Sequence, residues 1–169
     1  MLVLVCGLPA TGKSTVARNI ARKLKAAVLR TDIIRKQLFE MPTYTSEEKK
    51  LVYKAMFLVV EYLLRSDRNV VLDGTFYKRS LRHQVYDISK RTGAKLVVIE
   101  CKAPGDSIKR RMDRRARRKN EPSDADHEIY KKIKTDFEPI KREHIALDTE
   151  KSPQSSLEEA LRYLMKKKD

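Results

Sequence analysis

The sequence predicts a three-layer α/β fold, a five-stranded parallel sheet with helices on both faces. Three observations carry that expectation. Short apolar runs of strand length alternate with amphipathic helical stretches along the whole of the 169 residues, and crossovers of this kind make neighbouring strands run parallel. The runs are apolar without alternation, as in Val70-Val71-Leu72, which suits strands covered on both faces. The first run passes straight into a glycine-containing loop, Gly7-Leu8-Pro9-Ala10-Thr11-Gly12-Lys13-Ser14, that opens a helix.

Leu2 to Cys6 reads as the first, buried strand. From Ser14 to Lys25, Val16, Ala17, Ile20, Ala21 and Leu24 recur at three and four and form one helical face. Ala27 to Arg30 is a short second strand ending at Thr31-Asp32, and Ile33 to Phe39 a short helix broken near Pro42. Thr45 with Glu48 forms a capping box opening a long helix through Leu64. Its Leu51, Val52, Ala55, Met56, Val59 and Leu63 are expected to face the core. Asn69 to Asp73 is the third strand, expected centrally beside the first. Lys78 to Thr92 is a helix with Leu81, Val85 and Ile88 inward, stopped by Gly93, and Lys95 to Cys101 is the fourth strand. Residues 105–119 form a basic helix ended by Asn120-Glu121-Pro122. Ser123 caps a further helix to about Phe137, with Pro139 behind it. His144 to Asp148 is the fifth strand and Ser156 to Lys168 a closing amphipathic helix. With no repeat, linker or break, residues 1–169 are expected to form a single domain.

Composition narrows the function classes. No run of 18 apolar residues occurs, so no membrane span is expected. The N-terminal run lacks a basic leader and turns into the loop, so it reads as a core strand rather than a signal peptide. Cys6 and Cys101 both sit in strand runs and are expected to be buried thiols in a reducing, cytoplasmic setting. This pair alone cannot make a zinc site. The net charge is +15, and residues 108–119 hold eight Lys or Arg against Asp113 alone. A polyanionic partner accounts for that run. So does a solvated helix face in a protein of thermophile-like composition, with three Asn, three Gln and 36% charged residues.

The loop Gly7–Ser14 fits G-x-x-x-x-G-K-[ST], the phosphate-binding loop, in its required strand–loop–helix context. Glycines let the backbone wrap a polyphosphate with its N–H groups inward, and the helix N-terminus adds positive potential. Lys13 can reach the β- and γ-phosphates of ATP and the Ser14 hydroxyl can hold Mg²⁺. In a parallel sheet ligands bind beyond the carboxyl ends of strands, so the loop, Thr31-Asp32, Asp73-Gly74-Thr75 and Ala103-Pro104 are expected to rim one crevice. Asp73 ends Val-Val-Leu-Asp, a Walker-B-like pattern suited to the same Mg²⁺. Gly74 follows it where many ATP-driven motors place a carboxylate, which argues for phosphoryl transfer over a hydrolysing switch. Asp32 and Arg35 lie one helical turn apart on the rim. That spacing fits a base and an acceptor-orienting arginine, and equally a helix N-cap with an i,i+3 ion pair.

Gly7–Thr15, Thr31-Asp32-x-x-Arg35, Val71-Leu72-Asp73-Gly74-Thr75, Arg82 and Arg111-x-x-x-Arg115 occur in that order. The chain thereby resembles the P-loop kinases that include polynucleotide 5′-kinases, zeta-toxin-like kinases and many small predicted kinases. Ser123-Asp124-Ala125, Tyr130, Phe137-Glu138-Pro139 and Asp148-Thr149 extend the resemblance toward the last group. The resemblance implies a three-layer P-loop NTPase fold with an arginine-rich helical lid over about residues 105–137. It implies nucleotide binding by Gly7, Leu8, Pro9, Ala10, Thr11, Gly12, Lys13, Ser14 and Thr15, metal binding by Ser14 and Asp73, and Asp32 as general base. Lys13 would stabilise the transferring phosphoryl group, Arg35 and Arg82 would engage the acceptor with Thr75 beside them, and Arg111 and Arg115 would close over ATP. Neighbouring arginines (Arg110, Arg114, Arg118) leave that register open. The expected activity is ATP- and Mg²⁺-dependent transfer of the γ-phosphate to an alcohol, leaning to a nucleic-acid 5′-hydroxyl. The alternatives are a sugar, nucleoside or antibiotic hydroxyl, or an ATP-binding switch that hydrolyses slowly.

Overall fold

The structure, a computed structural model, describes residues 1–117 and 127–167. Five strands form one sheet: β1 (Leu2–Cys6), β2 (Ala27–Arg30), β3 (Val70–Asp73), β4 (Leu96–Lys102) and β5 (Ile145–Asp148). All pairings are parallel and the order is β2-β3-β1-β4-β5. β1 and β3 are therefore central, and both are buried end to end, as their unbroken apolar sequences require. The register sets Val5 beside Asp73 and Arg30 beside Asp73, so the chemistry at three strand ends is brought level.

Seven helices accompany the sheet among the described residues: α1 (Lys13–Leu24), α2 (Thr31–Leu38), α3 (Ser46–Arg65), α4 (Arg79–Thr92), α5 (Gly105–Ala116), α6 (His127–Asp136) and α7 (Pro153–Lys166). Val16, Ala17, Ile20 and Ala21 of α1 pack with Ala160 and Leu164 of α7 on one face. Val52, Met56, Phe57 and Val60 of α3 pack with Val85 and Ile88 of α4 on the other. Gly93 stops α4 in the left-handed region, at φ 66°.

Three sequence expectations need correction. The inward face of α3 is turned by about one residue: Tyr53, Phe57, Val60 and Leu64 are buried with Val52 and Met56, while Leu51 and Val59 are exposed. Tyr53 and Phe57 are thus core residues, whereas Tyr62 is 72% exposed. α7 starts at Pro153, three residues early, because Ser152 Oγ accepts the Ser155 N–H at 3.1 Å and Pro153 takes the first helical position. The capping box is also altered: Thr45 accepts from the Glu48 N–H at 3.3 Å, but the Glu48 carboxylate reaches back to the Thr43 N–H at 3.0 Å. Arg118, Lys119, the break at 120–122, the Ser123 cap and Ser123-Asp124-Ala125 lie outside the described residues.

Candidate active site

A cleft of about 810 Å³ opens over the carboxyl ends of β1, β2 and β3. Its floor is the loop from Gly7 to Ser14. Gly7 sits at φ 135°, its N–H bonds to the Thr75 carbonyl at 3.3 Å, and a Cβ there would come within 2.4 Å of the Cys101 carbonyl oxygen. The backbone path thus requires glycine. Leu8 turns its carbonyl into the loop, where it accepts from Lys13 Nζ at 2.6 Å and Thr11 Oγ1 at 2.7 Å. Burial lowers the Lys13 pKa, and the Asp73 carboxylate opposes that shift. Cys6 and Cys101 are buried free thiols behind the loop, and burial pushes Cys101 up to about 12. Neither is a nucleophile at neutral pH.

Ser14 and Asp73, from α1 and β3, converge on one cation. Arg30, the last residue of β2, donates from Nε to Asp73 Oδ2 at 3.0 Å and from Nη2 to Ser14 Oγ at 3.2 Å. A hydroxyl and a carboxylate that already share a positive charge are hard oxygen donors of the kind Mg²⁺ takes. Among the described residues no group of three His, Cys, Asp or Glu surrounds a metal position, so the remaining ligands would be phosphate and water oxygens. The sequence signal missed Arg30. A lone basic residue at a strand end reads as surface, and only the register with Asp73 reveals it.

Asp32 lies in the first turn of α2 on the same cleft. It is not the cap: Arg30 holds that position. Burial raises the Asp32 pKa, Asp73 adds to the rise, and Lys13, Arg30 and Arg35 oppose it. Arg35 also lines the cleft. Instead of an i,i+3 pair it meets Glu48 of α3, Nη1 to Oε2 at 3.6 Å, and its guanidinium lies 4.8 Å from the Tyr44 ring centroid. Thr75 lines the cleft as expected.

The other arginines divide in a way the helical spacing did not indicate. Arg115 lines the cleft and Arg114 joins it. Arg111 does not. Its Nη1 reaches the Ala10 carbonyl at 3.3 Å and Thr149 Oγ1 at 3.1 Å, and its Nη2 the Thr149 carbonyl at 2.6 Å. Thr149 Oγ1 in turn stands 2.7 Å from the Thr11 carbonyl. Arg111 therefore braces the outside of the loop, whereas Arg115 faces the space above it. Arg82, expected at the acceptor, is 1% exposed and away from the cleft lining. It donates from Nη1 to the carbonyls of Phe76 and Tyr77 at 2.7 and 3.1 Å, and from Nη2 to those of Glu138 and Pro139 at 2.7 and 3.1 Å. It ties the β3–α4 connection to the chain beyond α6.

A family profile described as an AAA domain, AAA_33, matches residues 2–140. The chain belongs to this P-loop family. An uncharacterized protein of Mycobacterium tuberculosis is 33% identical over 140 residues, covering 76% of this chain and 28% of its own length. The L-seryl-tRNA(Sec) kinase of Methanococcus maripaludis is 26% identical over 140 residues, covering 80% of this chain and 53% of its own. The chain thus spans between about a quarter and a half of the curated relatives it matches. The fold is that of the Mycobacterium tuberculosis APS kinase CysC, solved with AMPPNP and APS, at a TM-score of 0.74 and 20% identity over 97% of this chain and 96% of that one. Within the AAA_33 family the described part of this chain is an α/β P-loop fold, and no described helix is long and apolar enough to cross a membrane.

Proposed function

We propose that this AAA_33 protein is an ATP-dependent phosphotransferase whose acceptor is the hydroxyl of a small molecule. The observation that carries the reading is the placement of the phosphate loop, Asp32 and Arg35 on one cleft. In this reading the loop amides and Lys13 hold the triphosphate, and Asp32 accepts the acceptor's proton. The acceptor oxygen forms its bond to the γ-phosphorus as the bond to the ADP oxygen breaks. The transition state is loose, so the proton leaves late and a carboxylate is base enough. Mg²⁺ held by Ser14 and Asp73 would neutralise charge on the phosphate oxygens. Arg115, with Arg114 beside it, supplies positive charge above the loop, and α5 and α6 act as a lid.

A nucleic-acid 5′-hydroxyl stands second to the small-molecule acceptor in this reading. Within the described part of the basic run Arg111 is committed to Thr149 and Ala10, while Arg110 is an exposed side chain paired with Glu150 at 3.3 Å. One relative is named as an L-seryl-tRNA(Sec) kinase and an APS kinase shares the fold, which supports a phosphotransferase. The test is γ-labelled ATP offered with sugars, nucleosides, amino alcohols and 5′-hydroxyl oligonucleotides. Label on a small acceptor supports the proposal. Transfer only to oligonucleotides, weakening steeply with salt, would restore the nucleic-acid reading. Release of free phosphate with no labelled acceptor would favour a slow switch.

A further inference from the structure

Ten lysines and arginines line the cleft against three aspartates. A magnesium-bound triphosphate brings a net charge of about −2, and Lys13, Arg114 and Arg115 are placed to meet it. Three others, Lys49, Lys50 and Lys78, stand on a different wall, made by the start of α3 and the β3–α4 connection. Lys49 Nζ lies 4.0 Å from the centroid of the Tyr77 ring and donates to the Tyr77 hydroxyl. Lys78 Nζ lies 5.5 Å from the same centroid. Among the described residues no carboxylate pairs with Lys49. Lys78 Nζ forms a half-exposed ion pair with Glu138 Oε1 at 3.8 Å, whose other carboxylate oxygen accepts the Arg79 N–H. Arg35, nearby, has its Nη1 ion-paired with Glu48 Oε2 at 3.6 Å.

Two ammonium groups around one phenol ring repel each other, and ring attraction offsets only about 0.5–1 kcal/mol for each at such sites. A neutral acceptor filling this wall would strip water from both and leave Lys49 with only a phenol oxygen and Lys78 with one distant carboxylate, which is costly. An anion would satisfy both. We propose that the acceptor carries an anionic group of its own, a phosphate or a carboxylate, seated on Lys49 and Lys78 at Tyr77, with the Tyr77 hydroxyl as a further donor. This rests on the kinase reading for the word acceptor. The anion subsite itself rests on the geometry of the wall.

Calorimetry on the protein saturated with AMPPNP and Mg²⁺, so that the phosphate loop is filled, tests the subsite with inorganic phosphate as the probe. Saturable binding in the millimolar range is expected, weakened at least tenfold in the Lys49→Gln/Lys78→Gln double variant, whose AMPPNP affinity serves as the check that it is folded. Phosphate that does not bind saturably, or binds the double variant equally well, overturns the proposal. Matched acceptors extend the test: gluconate against glucitol, and glycerol 3-phosphate against glycerol. A preference of at least tenfold in kcat/KM for the anionic member is expected, and a preference for the neutral member overturns it. Transfer to no member of either pair counts against the kinase reading, and the calorimetric result still decides the subsite.

Discussion

Asp32 carries the chemical proposal, and its environment makes that proposal measurable. Its pKa is raised, by burial first and by Asp73 second. A carboxyl of this kind binds its proton more tightly folded than unfolded, so once pH exceeds the unfolded value the charged form subtracts stability. Asp32→Asn is therefore expected to hold or raise Tm near pH 7.5 while lowering kcat/KM by about 10²–10⁴-fold. Calorimetric melting and a coupled assay on the same sample check both. For the same reason, wild-type kcat/KM is expected to fall on acidification at a pH above the ordinary aspartate range. Arg82 behaves oppositely. Arg82→Met would orphan buried carbonyls of the 76–77 and 138–139 segments, at a cost of about 3 kcal/mol in unfolding free energy. Denaturant titration measures that loss. An unchanged acceptor KM at a temperature where the variant is folded would distinguish a clamp from a binding residue.

Among the helices, α5 yields a contrast between residues four apart. Arg115→Ala is expected to lower kcat by about 10³-fold or more if its charge meets the transferring phosphoryl group. Arg111→Ala is expected to act mainly on ATP KM, by loosening the loop that Thr149 and Arg111 brace, with a smaller change in kcat. Steady-state kinetics of the two variants side by side checks this. The contrast was not visible in the sequence, because helical spacing places side chains on a face without saying what that face meets. The strands were legible: five unbroken apolar runs allowed little else, and the P-loop spacing positioned β1 and α1 to within a residue. The α3 face was misread because Leu51 through Leu64 is apolar nearly all round, so periodicity could not choose between Val59 and Val60. Arg30 and the Arg82 clamp depend on contacts across 43 and 56 residues of chain, which no local pattern encodes.

Across the assembled fold, nucleotide binding and stability should be linked. A ligand that binds only the folded protein stabilises it by about 2.7 kcal/mol at a hundred times its dissociation constant. AMPPNP with Mg²⁺ is therefore expected to raise Tm by about 5–10 °C, and Gly7→Ala, whose Cβ would strike the Cys101 carbonyl, to abolish that rise. The aromatic inventory has a practical consequence. The chain has no tryptophan and seven tyrosines, and Tyr44, Tyr53 and Tyr77 border the cleft. Ultraviolet emission from the unmodified chain is consequently phenolic, and an anion drawing the Lys49 ammonium off the Tyr77 hydroxyl would alter it, so that ligand arrival reports itself optically without a dye.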